Sequence, residues 1–154
     1  MSLDGRQRQR LYLLIEESDR EFDSRCLIAA VAARRGMEVI IGSQWAIWKG
    51  LENLPTGVIL FKGNNRVQAD NMHRAKRVGH LVASIEEEVL GLADETEIRH
   101  HYAKGIQNCC DLFLVQGQFQ AKCLERHFPD TTNRIKIAGN PRIDLLREPF
   151  RAAL

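Results

Sequence analysis

Residues 11–42, LYLLIEESDREFDSRCLIAAVAARRGMEVIIG, decide the fold. They open on five apolar residues without interruption, the pattern of a strand buried on both faces. Residues 11–16 (LYLLIE) therefore read as the first strand. The next apolar residues, Phe22, Cys26, Leu27, Ala30 and Val31, recur at helical spacing and predict a helix over 22–35 with these as its apolar stripe. Gly36 ends that helix as a C-terminal cap, and residues 37–42 (MEVIIG) form a second strand. A strand, a helix and a second strand in this rhythm make one parallel unit.

The same alternation continues outward. Ser43 can cap a helix through Trp45 and Trp48 to about residue 53, and Pro55-Thr56-Gly57 is a turn before a strand at 58–61. A helix over 68–77 leads to a strand at 80–85. Asp94 opens a helix reaching about 109, a strand follows at 111–116 (DLFLVQ), a helix at 117–128 and a short strand at 135–138. The expected fold class is α/β, a doubly wound, Rossmann-like parallel sheet of about six strands with helices on both faces and strand order 3-2-1-4-5-6. The expected organisation is a flexible basic tail over 1–10, a single domain over 11–147, and a C-terminal tail over 148–154.

Composition narrows the function classes. The chain of 154 residues carries a formal charge of +2, much of it in Arg6, Arg8 and Arg10, too little for a nucleic-acid binder. No stretch approaches the ~20 apolar residues of a membrane span. The apolar run after the basic start is too short for a signal peptide and ends at Glu16, so the protein is expected in the cytoplasm. Cys26 and Cys123 sit in helical patterns, Cys109 and Cys110 are adjacent, and the five histidines show no ligand spacing. No metal is expected. The first strand–helix turn lacks G-x-G-x-x-G, and neither G-x-x-x-x-G-K-[ST] nor G-x-S-x-G occurs. No cofactor is called for.

In open α/β sheets ligands bind beyond the carboxyl ends of the strands, where strand order reverses. In the expected order the first and fourth strands are neighbours, ~4.8 Å apart. They end in Glu16-Glu17 and in Glu86-Glu87-Glu88, so five carboxylates would share one crevice and raise some of each other's pKa values. Such a carboxylate could take a proton from a substrate hydroxyl, or bind sugar hydroxyls or a cation. The plainer account is that acidic residues open the following helices, where the dipole favours them, with Ser18-x-x-Glu21 as a capping box. Gly139-Asn140-Pro141-Arg142-Ile143-Asp144 is a further local feature. By itself it is a rigid turn in which Arg142 can pair with Asp144 or with an anion. Trp45 and Trp48, three apart on one helix face, suit the core or else an acceptor or membrane surface.

Taken in order, the segment from Glu16 to Asp23 (EESDREFD), Glu86-Glu87-Glu88 and the GNPRID segment resemble the N-terminal half of bacterial surface carbohydrate biosynthesis proteins. These are GT-B-type glycosyltransferase-like proteins, distantly similar to CDP-glycerol glycerophosphotransferases. The resemblance runs from about Leu11 to Arg147. It implies an acceptor-side domain in surface polysaccharide assembly, with a glycan or lipid-linked acceptor here and a nucleotide-activated donor on a second, facing domain. Glu17 and Glu88 would be the catalytic carboxylates. Glu16, Arg20, Glu21, Asp23, Glu87, Asn140 and Arg142 would bind substrate. The same resemblance allows peripheral association with the inner membrane, and self-association through an exposed interdomain face near Phe150. The sequence stops at Leu154, where a donor domain should begin, so no transfer is expected of this chain alone. A non-catalytic α/β binding or interaction module and a fragment of a sugar-nucleotide epimerase are the alternatives.

Overall fold

Residues 9–87 and 94–148 are described by the computed structural model; Glu88, Phe150 and the basic residues Arg6 and Arg8 lie outside the described residues. Strand β1 (Arg10–Ile15) begins inside the segment read as a tail, and Arg10 pairs with Glu38 at 2.7 Å. Then come α1 (Ser18–Arg34), β2 (Glu38–Ser43), α2 (Gln44–Gly50) with a 3-10 turn at Leu51–Asn53, β3 (Val58–Phe61) and α3 (Arg66–Arg77). The second half is β4 (Leu81–Ile85), α4 (Glu95–His101), a 3-10 turn at Ile106–Asn108, β5 (Leu112–Val115), α5 (Gln118–His127), a 3-10 segment at Pro129–Arg134, β6 (Ile135–Ile137) and the single turn α6 (Pro141–Asp144).

All strand pairs are parallel, and the order is β2-β1-β3-β4-β5-β6. The α/β sheet is as expected; the order 3-2-1-4-5-6 is corrected. The residues explain why. In β3, Ile59, Leu60 and Phe61 are all buried, which requires a strand paired on both edges. β2 starts on Glu38, contains Gly42 and buries none of its residues fully, so it takes the edge. Strand order therefore reverses between β1 and β3, and β1 does not touch β4.

With right-handed crossovers this order puts α1 on one face of the sheet, where the C-terminal turn α6 packs against it, and sends the crossover helices α2 to α5 to the other. The cores agree. Tyr12, Leu14, Ile59, Phe61, Val82, Phe113 and Val115 pack with Trp48, Met72, Ala75, Cys123 and Leu124, while Leu11, Leu13, Leu60, Ala83 and Ile85 pack with Ala32, Ile28 and Ala29 of α1. β1 thus fills both layers, as its unbroken apolar run requires.

Two local points bear on the site. Gly36 closes α1 at φ +85, with its amide donating to the Ala33 carbonyl at 2.9 Å. The expected stripe of α1, however, faces outward at its ends: Phe22 is 51% and Val31 48% exposed. The inward residues are Glu21, Ser24, Arg25 and Ala32. The helix turns its charged residues to the sheet because partners wait there.

Candidate functional site

Lys62 directly follows β3 and stands between the two acidic clusters. Its side chain is 4% exposed, and it is in ion-pair contact with Glu16 and with Glu21, the latter at 3.1 Å. Glu21 also accepts from the Glu16 amide at 2.8 Å and from Arg20 at 3.2 Å. It caps the start of α1 from within, in place of the expected capping box on Ser18; the N-cap residue is Glu17, whose side chain makes no capping bond. One strand further on, fully buried Arg25 holds both Glu87 oxygens, at 2.6 and 3.0 Å, and donates its Nε to the Leu14 carbonyl at 2.9 Å. The Glu86 carboxylate accepts from Asn64 at 3.1 Å, and its backbone carbonyl accepts from Gln116 at 2.7 Å. Gln116 leads through Gln120 to Tyr102.

The five-carboxylate crevice is thereby corrected. β3 separates the clusters, and Lys62, Arg25 and Arg20 interleave with the acids. Glu21, which is not one of the five, is drawn into these ion pairs. Burial pushes its carboxyl up, but the Glu16 amide, Lys62 and Arg20 outweigh burial and hold it below the ordinary value. Lys62 shows the mirror effect: burial lowers it, and its bonds to Glu16 and Glu21 raise it above the ordinary value. Burial, with the Glu86 charge nearby, pushes the Tyr102 phenol up, so it stays neutral while its oxygen accepts from Gln120 at 3.0 Å.

Between β1 and β3, at the carboxyl ends of the strands, a pocket of about 260 Å³ opens. Glu16 and Lys62 come from the ends of β1 and β3, Gln44, Trp45 and Trp48 from α2, and Asn65, Val67 and Gln68 from the start of α3. Asn65 itself is occupied as the α3 cap, accepting from the Gln68 amide at 3.1 Å. Trp48 is buried in the core and Trp45 is 60% exposed; the rings meet edge to face with centroids 5.0 Å apart. Gln44 Oε1, Gln68 Oε1 and Trp48 Nε1 are buried without a hydrogen-bond partner. Three residues lining one pocket thus each carry an unpaired buried polar atom, a marked departure from normal satisfaction of buried groups.

The remaining expected residues gather elsewhere. Arg20, Asp23 and Arg142 line an open groove of about 480 Å³ between α1 and α6. Asn140 is buried and caps α6 by accepting from the Arg142 amide at 3.0 Å. Asp144 lies against Arg147 at 3.5 Å and not against Arg142. Glu17 is exposed, and its carboxylate has no partner among the described residues. Glu88 lies outside the described residues.

Sequence reasoning missed Lys62, Arg25, Gln44 and Gln68. Two of these leave a signal. Lys62 is a charge placed at once after the apolar run VILF, where a buried strand reaches the functional edge. Arg25 is a charge inside an otherwise apolar helical stretch, the mark of a buried ion pair. The glutamines leave none.

Among the described residues, no cluster of His, Cys, Asp or Glu is arranged to hold a metal ion, and no helix is long and apolar enough to cross a membrane. Comparison of the chain with protein-family models, with curated proteins and with solved structures finds no match.

Proposed function

We propose that this domain binds a saccharide acceptor in the pocket between β1 and β3, and that it is the acceptor-side half of a GT-B-type glycosyltransferase of surface polysaccharide assembly. The observation that carries the reading is the pairing, in one pocket, of an exposed indole with buried and unpaired amide and indole groups. A sugar ring presents apolar C–H faces and a rim of hydroxyls. The first suits Trp45, the second Gln44, Gln68 and the Trp48 N–H. The resemblance of the acidic and GNPRID segments supplies the transferase part of the proposal. On that reading a carboxylate takes the proton of the attacking hydroxyl, a poor nucleophile until that proton is leaving. Glu17 suits the role because its carboxylate has no partner among the described residues, with Glu88 as the other candidate. The nucleotide-activated donor belongs to the facing domain.

A second reading, the non-catalytic binding module, has an observation of its own: Glu21, Glu86 and Glu87 are each engaged by buried partners. Both readings share the pocket. Calorimetric titration of the protein with candidate acceptor glycans should give saturable binding. Trp45→Ala should weaken it about tenfold or more with the fold intact, because the indole supplies the stacking face. Absence of binding to every glycan offered, or binding indifferent to Trp45, would count against the proposal.

A further inference from the structure

The pocket between β1 and β3 also carries information about the charge of its ligand. We infer that it takes a single uncharged, hydroxyl-bearing ring and turns away the carboxylated or phosphorylated forms of the same ring. This rests on the saccharide reading above and sharpens it from a ligand class to a selection rule.

Lys62 is the cation lining the pocket among the described residues, and it is already in contact with Glu16 and Glu21. Arg20 in turn lies on Glu21. The cations of this group are matched by its carboxylates, so an incoming anion meets no uncommitted positive charge. It meets the Glu16 carboxylate instead, which is 34% exposed at the pocket wall. Binding an anion would mean pulling Lys62 from two partners or setting like charges side by side in a semi-buried space, and both are costly.

The unpaired neutral groups point the same way. Gln44 is 1% exposed, and Trp48 and Gln68 are each 5% exposed, yet Gln44 Oε1, Gln68 Oε1 and Trp48 Nε1 have no partner. The two oxygens accept and the indole N–H donates. Carboxylate and phosphate oxygens only accept, so they could serve Trp48 but not the amide oxygens as placed. A hydroxyl both donates and accepts. It suits all three atoms, and it still suits a glutamine whose amide is turned by 180°. Size adds a limit: about 260 Å³ lies below the usual range for drug-sized ligands, so one ring fits and a chain of rings does not.

The test has a built-in reporter, since the protein has two tryptophans and both line this pocket. Tryptophan emission and calorimetric heat would be followed while the full chain is titrated with neutral methyl pyranosides. The same rings bearing a carboxylate or a phosphate ester form the second arm. Neutral rings should change the emission and bind about tenfold or more tightly than their charged counterparts. Gln68→Leu should weaken neutral-ring binding by a similar factor while the melting temperature holds, because the lost oxygen has no partner among the described residues. Glu16→Gln should narrow the gap by admitting the charged rings, a change that a purely structural role for Glu16 would not produce.

Equal or tighter binding of the charged rings overturns the inference. So does heat without any change in emission, which would place the saccharide site outside this pocket and count against the proposed site as well, whereas charged-ring binding with an emission change overturns the selection rule alone. If no ring gives heat or emission change, the inference and the saccharide reading fall together.

Discussion

At the scale of single residues, the carboxyl edge is held by two buried cations rather than by a pool of acids. Arg25 has no exposed surface, and its guanidinium is divided between the Glu87 carboxylate and the Leu14 carbonyl. Removing it would strand Glu87 as an unpaired buried charge. Arg25→Ala is expected to cost about 3–5 kcal/mol in urea unfolding, and much of that loss should return in Arg25→Met with Glu87→Leu. Equal losses in the single and double variants would deny the pairing its role. Of the residues expected to bind substrate, Glu16 lines the pocket, while Glu21 and Glu87 are drawn into the ion pairs. The difference was not legible in the sequence because it depends on which strand lies beside β1. With β4 there, acids would face acids; with β3 there, Lys62 comes between them.

At the scale of elements, strands were easier to read than their neighbours. Apolar runs bounded by turn residues located every strand to within about two residues, a distance at which strand ends are seldom fixed in any case. The order failed because alternation of strands and helices specifies a parallel sheet without saying which strand is central. Burial supplies that: VILF is covered on both edges and EVIIGS is not. Gly57 helps seat β3 beside β1, since a Cβ there would lie 2.7 Å from the Arg10 carbonyl oxygen. The face of α1 misled for a different reason. Apolar spacing predicts Phe22 inward, yet Arg25 and Glu21 claim that side through their ion pairs, and Phe22 is half exposed. Phe22→Ala should therefore change stability by no more than about 0.5 kcal/mol, where a core phenylalanine would lose about 3–5. Thermal and urea unfolding read the difference, and a loss in the core range would restore the expected helix face.

At the scale of the whole molecule, the ionic edge ties folding to pH from both sides. Glu21 is held below its ordinary value of 4.5, so its charge supports the fold above that pH, and the support is lost as pH falls through the folded-state value. Lys62 is held above its ordinary value of 10.5, so its contribution stands below that pH and is lost as pH rises through the folded-state value. Glu21→Gln should lower stability by about 1–3 kcal/mol near neutral pH, with the gap closing as the wild type is acidified below the ordinary carboxyl range. A gap that stays constant down to low pH would show that the Glu21 charge is not what matters.

The same edge positions the pocket between β1 and β3, and the claim on which the account turns is that a saccharide sits there. The most direct measurement is a nuclear magnetic resonance titration of the isotopically labelled chain with a neutral monosaccharide. With a saccharide in the pocket, the indole signals of Trp45 and Trp48 and the side-chain amides of Gln44 and Gln68 shift together and saturate, while residues of the α1–α6 groove such as Asp23 and Arg142 stay still. Shifts confined to that groove, or no shifts at high ligand concentration, would contradict it.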